Sequence, residues 1–214
     1  MMKAKPMQKV KTFLEKTPNA LLCVLGAVVF LAAFYFLRSR TPLDKIWLPT
    51  TMNNDEALYN RQVVSVITHG GPQGYFGYQE STADIGRFST WGPFLIWAYA
   101  IPGFLFGSSV NVVLRVNILF IALGIAVFAH SAKLSWWQCI VLCGTLFAVT
   151  QPISSCFSGA SEGLHYALTL VLIGGAIGME RTGKRGYFLL TVAACVLETI
   201  VRPYTLLFWV FPLM

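Results

Sequence analysis

Hydrophobic residues along this chain fall into long blocks, with little of the alternation of half-buried strands or the narrow stripe of soluble helices. Residues 19–37 are mostly apolar. At ~1.5 Å per residue the run extends roughly 28 Å, close to the hydrocarbon thickness of a bilayer, and it predicts a first transmembrane helix. A cleaved signal peptide is the rival reading. The length of the run and its ending, Phe36-Leu37-Arg38-Ser39-Arg40 without a small-x-small cleavage site, favour an uncleaved anchor.

The next apolar piece, Phe94 to Phe106, is interrupted by Pro102 and Gly103 and preceded by Pro93. It reaches only ~20 Å, too short to cross. It predicts an interfacial or re-entrant helix with Trp91, Trp97 and Tyr99 near the headgroups, which keeps residues 38–111 on one side as a long outer loop. Four more blocks follow, Val112 to Ala129, Trp136 to Val149, Gly163 to Met179 and Tyr187 to about Phe211.

The expected architecture is therefore an all-α polytopic membrane protein with about five transmembrane helices and juxtamembrane helices in the outer loop. Its parts are a basic tail (1–18), the first span (19–37), the outer loop (38–111) and four further spans (112–214). The last block ends at Phe211-Pro212-Leu213-Met214 with no polar residues after it, so the set of spans is expected to be incomplete there.

Charge orients this arrangement. Lys3, Lys5, Lys9, Lys11 and Lys16 crowd the segment before the first span. A cytoplasmic N-terminus also puts His130, Lys133 and the Arg181/Lys184/Arg185 cluster inside, as the positive-inside bias requires. If Phe94–Phe106 crossed, that cluster would fall outside. The composition agrees: 214 residues, 56% hydrophobic and 12% charged, too apolar for an ordinary soluble domain. The net charge of +7 is accounted for by tail and loop cations, so a nucleic-acid partner is excluded as the meaning of the basic balance. Of five cysteines, Cys23, Cys139, Cys143 and Cys195 lie in apolar stretches and Cys156 beside one; Cys139 and Cys143 share a helix face, without a His or carboxylate at ligand spacing.

Polar chemistry concentrates between Asn53 and Gly107. Asp55 and Glu56 open a short predicted helix with Asn53 or Asn54 as cap. Successive helical positions point about 100° apart, so one carboxylate faces a site while the other supports it. Beside a bilayer such a carboxylate can act as general base or metal ligand; the plainer reading is a helix-dipole charge. Arg115 near the outer end of the second span, and Arg202 within the last, followed by Pro203, can grip a lipid-linked phosphate with the guanidinium fork or reach for headgroups. Glu162 can line the same cavity or serve as a helix N-terminal charge with Ser161 as cap. Glu198, four residues before Arg202, is expected to pair with it. Arg87 and Lys45 are loop cations able to meet phosphate or water. His69 and His165 lack ligand-spaced companions, and the glycine-rich Gly70–Gly77 stretch lacks the lysine and strand-to-helix setting of a P-loop.

The order of these elements resembles the N-terminal part of GT-C-fold integral membrane glycosyltransferases, such as protein O-mannosyltransferases and the aminoarabinose transferases acting on lipid A. The resemblance rests on the basic tail, one span, an outer loop opening Asp55-Glu56-x-x-Tyr59, then Trp91-Gly92-Pro93-Phe94-Leu95-Ile96-Trp97 and Val113-Leu114-Arg115-Val116-Asn117. It implies an enzyme of the plasma membrane that moves a sugar from a polyprenyl-phosphate donor to an acceptor on the outer face. It implies catalytic Asp55, with Glu56 as secondary base or cation partner, and Arg202, Arg115, Arg87, Glu162 and Tyr59 as substrate-binding residues. A divalent cation, Mg²⁺ or Mn²⁺, is the cofactor such a carboxylate pair could hold. Trp91-Gly92-Pro93 stands where those families often carry Pro-Pro or Lys-Pro, which removes a lysine contact to phosphate. The competing class is a non-catalytic transport or assembly subunit in which Asp55, Glu56 and Arg202 fix packing.

Overall fold

A computed structural model describes residues 18–40, 54–73, 88, 92–109, 111–148 and 161–213. Among these every regular element is helical: α1 (Asn19–Ser39), α2 (Asn54–His69), α3 (Gly92–Gly103), α4 (Val112–Ser131), α5 (Trp136–Ala148), α6 (Glu162–Thr182) and α7 (Arg185–Val201). A 3-10 helix (Pro203–Trp209) and the single turn α8 (Val210–Leu213) complete the order. Two helices, α4 and α6, are long and apolar enough to cross a membrane; α1, α3 and α5 carry shorter apolar stretches.

Local chemistry sets the helix ends. Gly183 takes the left-handed conformation at φ 64°, and its N–H bonds the Met179 carbonyl at 2.7 Å, closing α6 and starting a tight hairpin into α7. Pro203 disfavours helical backbone at the residue before it, and Arg202 is accordingly extended at φ −142°, ψ 100°. The expectation of one continuous helix from Tyr187 to about Phe211 is corrected here. The chain turns back at Arg202-Pro203: the Cys195 thiol donates to the Phe208 carbonyl at 3.5 Å, and the Trp209 indole N–H to Thr199 Oγ1 at 3.0 Å.

Pairwise contacts fix the helix directions. A Cβ on Gly163 would fall inside the Asn117 amide, one on Gly124 would come within 2.9 Å of the Ala167 backbone, and one on Gly174 within 2.9 Å of Phe128 Cα. Contacts advancing together along both helices make α4 and α6 parallel. Small residues let two backbones approach closely, the packing that helices use where lipid provides no hydrophobic drive. In the same way Cys23 meets both Cys139 and Cys143, and the Asn19 side chain donates to the Leu134 carbonyl at 2.7 Å, so α1 and α5 are also parallel. The Gly175 and Gly178 contacts with Thr191 and Tyr187 make α7 antiparallel to α6.

The bundle consequently has two poles. One gathers Asn19, the turn after α4 and the α6–α7 hairpin, tied together where the Arg181 guanidinium donates to the Ala132 carbonyl. His130, Lys133, Lys184 and Arg185 lie at or next to that end. The other pole gathers the starts of α4 and α6 and the end of α7. There α2 and α3 pack on the bundle: a Cβ on Gly103 would touch Ile67 and Val112, and a buried cluster unites Tyr59 and Val63 of α2, Leu95 and Tyr99 of α3, Leu164 of α6 and Val201 of α7. Tyr99 is not a headgroup residue as its type suggested. It is buried, its hydroxyl donating to Asn117 Oδ1 at 2.6 Å and accepting the Leu164 N–H at 3.4 Å.

Candidate functional site

At the pole away from the basic turn, one face of α6 presents Ser161, Glu162, His165 and Thr169. Glu162, His165 and Thr169 recur every three or four positions, the spacing that aligns helical side chains, with Ser161 just before them, and together they face Glu198 of α7 and Arg202 at its end. The expected pairing within α7 does not form. Glu198 accepts from Thr169 Oγ1 at 3.0 Å and meets His165 Nδ1 at 2.6 Å. Arg202 instead pairs with Glu162, forty residues away in sequence, and donates to Ser161 Oγ at 3.1 Å and to the Tyr204 hydroxyl. The break at Pro203 explains the exchange: α7 has ended at Arg202, so its side chain does not follow the helical i, i+4 direction back to Glu198. Its backbone N–H still closes on the Glu198 carbonyl at 2.7 Å, which couples the two pairs mechanically.

The two pairs differ in access. Glu198 is wholly buried, whereas the Arg202 and Glu162 side chains keep 19% and 33% of their surface exposed. A guanidinium carries five N–H groups, and three hydrogen bonds are drawn from Arg202. Its Nε–H and one Nη1–H therefore have no partner among the described residues. Glu162 uses only one oxygen on Arg202; Oε2 is buried with no hydrogen-bond partner among the described residues. Ser161 precedes α6 without capping it through its side chain, since its hydroxyl accepts from Arg202. The His165 ring stacks on Phe208 of the returning 3-10 segment, centroids 6.3 Å apart and planes within 10°, which holds the imidazole against Glu198.

The other sequence candidates are distributed as follows. Asp55 lies in the first turn of α2, its side chain outside the described residues; Arg87 lies outside them altogether. Glu56 is buried at the same helix start, and Tyr59 is buried in the cluster that contains Val201. Arg115 is exposed and donates to the Phe106 carbonyl at 3.5 Å, closing the loop after α3. Among the described residues no three His, Cys, Asp or Glu are grouped to hold a metal ion. The residue that sequence reasoning passed over is His165. Its only sequence signal was its place one turn after Glu162 on an apolar helix, where an imidazole calls for a polar partner from another element.

Beside the polar cluster, an apolar cleft of about 260 Å³ opens between α3, α4, α6 and α7, lined by Phe94, Phe120, Gly124, Leu164, Leu168 and Leu197 among others. Comparison with protein-family models, with curated proteins and with solved structures gives no match to this chain.

Proposed function

We propose that the chain is a GT-C-type membrane glycosyltransferase, or the N-terminal portion of one, that transfers a sugar from a polyprenyl phosphate to an acceptor at the outer face of the plasma membrane. The five-span topology with a cytoplasmic N-terminus belongs to this proposal. The observation that carries it is the Arg202 guanidinium, held at a broken helix end opposite the basic pole, partly exposed and with two N–H groups unengaged among the described residues. An arginine in that position suits a phosphate anion, which a guanidinium holds through charge-assisted hydrogen bonds. The neighbouring apolar cleft suits the prenyl chain attached to such a phosphate. The carboxylates at the start of α2 lie on an element that shares a buried cluster with Val201, the residue before Arg202.

In this reading Asp55 is the general base. It removes the acceptor's proton as the acceptor oxygen or nitrogen attacks the anomeric carbon and the carbon–oxygen bond to the lipid phosphate breaks. Arg202 holds the departing phosphate, whose growing negative charge is where fixed positive charge lowers the barrier most. Glu56, buried in the same turn, supports Asp55 or holds a divalent cation with it. Arg115 and Arg87 are secondary candidates for the donor headgroup.

The test is retention of a polyprenyl phosphate by the purified chain in nanodiscs. The wild type is expected to bind it, and Arg202→Gln to bind at least about tenfold more weakly, one charge-assisted pair being worth roughly 1.5–3 kcal/mol. Equal affinity of the two proteins contradicts the assignment. A purely structural Arg202 predicts the opposite pattern, a loss of folded protein with no lipid-phosphate binding in the wild type.

A further inference from the structure

We propose that the pole opposite Arg202 is a binding site for a phospholipid with a net negative headgroup, held by Arg181 and Lys133 with Trp136 and Trp137 alongside. The proposal requires only that α4 and α6, the two helices long and apolar enough to do so, cross the bilayer. Both end at this pole, which then meets the headgroups of one leaflet.

The pole draws its cations from two separate turns. The Arg181 guanidinium, in the last turn of α6, donates to the carbonyl of Ala132, the residue that closes α4. Lys133 is the next residue, so cations from two different helix ends occupy neighbouring places. Lys184 and Arg185 follow at the α6–α7 hairpin, and all four side chains are exposed. Like charges gathered in this way repel one another unless an anion joins them. None of the four enters an ion pair among the described residues, and Glu180 is the one carboxylate beside them there. The helix dipoles do not cancel the excess, since α4 and α6 bring two negative ends to the pole and α5 and α7 two positive ones.

The surroundings point to a lipid as the source of the anion. Trp136 and Trp137 open α5 directly after the Lys133 turn and are exposed, and indoles settle at the headgroup level of a bilayer. Ile140 and Val141 continue the exposed apolar surface along α5, where acyl chains can lie. A soluble anion would use the cations and leave the indoles and this surface idle. The lipid phosphodiester accepts charge-assisted hydrogen bonds from Arg181, and Lys133 adds a point charge. A zwitterionic headgroup brings its own cation into the same positive field, so a net negative one is preferred.

Lys133 also allows the charge to be separated from the fold. It holds φ 51°, a left-handed conformation in which glycine is the less strained residue. Lys133→Gly therefore removes the ammonium while favouring the turn.

The experiment offers the whole chain, in a nonionic detergent, equal amounts of dioleoylphosphatidylglycerol and dioleoylphosphatidylcholine, which share their acyl chains and differ in net charge. Native mass spectrometry counts the lipids retained. The wild type is expected to favour phosphatidylglycerol by about tenfold or more. Lys133→Gly is expected to unfold no earlier than the wild type and to lose about fivefold of that preference, as is Arg181→Gln, whose amide can still reach the Ala132 carbonyl. Arg61→Gln, an exposed cation of α2 at the other pole, is expected to change nothing. Equal retention of the two lipids by the wild type overturns the proposal, and so does an Arg61→Gln loss as large as that of Lys133→Gly. Displacement of the retained lipid by glycerol phosphate at equal concentration overturns it as well, because the acyl chains then contribute nothing.

Discussion

Glu198 and Arg202 stand four residues apart at the end of one helix yet belong to different pairs: Glu198 reaches across to His165 at 2.6 Å, and Arg202 to Glu162. Removing one partner of a buried pair leaves an uncompensated group, a loss of about 3–5 kcal/mol. His165→Ala strands Glu198 in the interior and is expected to lower the unfolding midpoint strongly. The double variant His165→Leu/Glu198→Leu is expected to recover much of that stability, because both polar groups are gone. Thermal unfolding in one detergent checks the order. A double variant no better than His165→Ala contradicts the pairing.

Helix approach at glycines gives a second expectation. Gly124→Ala sets a Cβ 2.9 Å from the Ala167 backbone, which cannot swing aside as a side chain tip can, so α4 and α6 must part. Overpacking of that kind costs roughly 1–3 kcal/mol. Gly144 has nothing within 4 Å of the equivalent position, so Gly144→Ala is expected to be neutral or slightly stabilising. Parallel unfolding curves decide whether the two glycines differ.

The orientation can be read chemically. With the Arg181/Lys184/Arg185 pole in the cytoplasm, Lys184→Cys is expected to react with an impermeant maleimide only when the inner face is open to it. Ser108→Cys, in the segment between α3 and α4, is expected to react from the outside of intact cells. Labelling of both from the same side contradicts the five-span arrangement.

How far the sequence revealed this fold depends on which residues carried the information. Val112 to Ala129 and Gly163 to Met179 are apolar enough to declare themselves, and they appear as α4 and α6 with nearly the expected bounds. The short Phe94–Phe106 piece, recognised through Pro93, Pro102 and Gly103, is the twelve-residue α3. Composition did not reveal that the last block doubles back, because Leu206, Leu207 and Phe208 are as apolar as any span; only Pro203 hinted at the turn. Of the candidate residues the structure brings Arg202 and Glu162 together, and that pairing was not legible in the sequence. Sequence spacing favours partners within a helix, so Glu198 was matched to Arg202. Hydrogen bonds between α6 and α7 depend on the Gly183 hairpin; the glycine marks where α6 ends, but which side chains then meet across the two helices is not written in the local spacing.

Chelation addresses the cation question. If Asp55 and Glu56 hold Mg²⁺ or Mn²⁺ for transfer, treatment with EDTA is expected to abolish sugar transfer and added metal to restore it. Full transfer in EDTA removes the metal from the scheme and leaves the carboxylate pair acting without one.

The most direct test of the account is sugar transfer itself in membranes carrying the chain, followed as release of free polyprenyl phosphate from a polyprenyl-phosphate sugar, for wild type and Asp55→Asn at equal abundance. The account predicts release by the wild type and loss of at least about a hundredfold in Asp55→Asn, the contribution expected of a general base. An Asp55→Asn protein that transfers at the wild-type rate contradicts it.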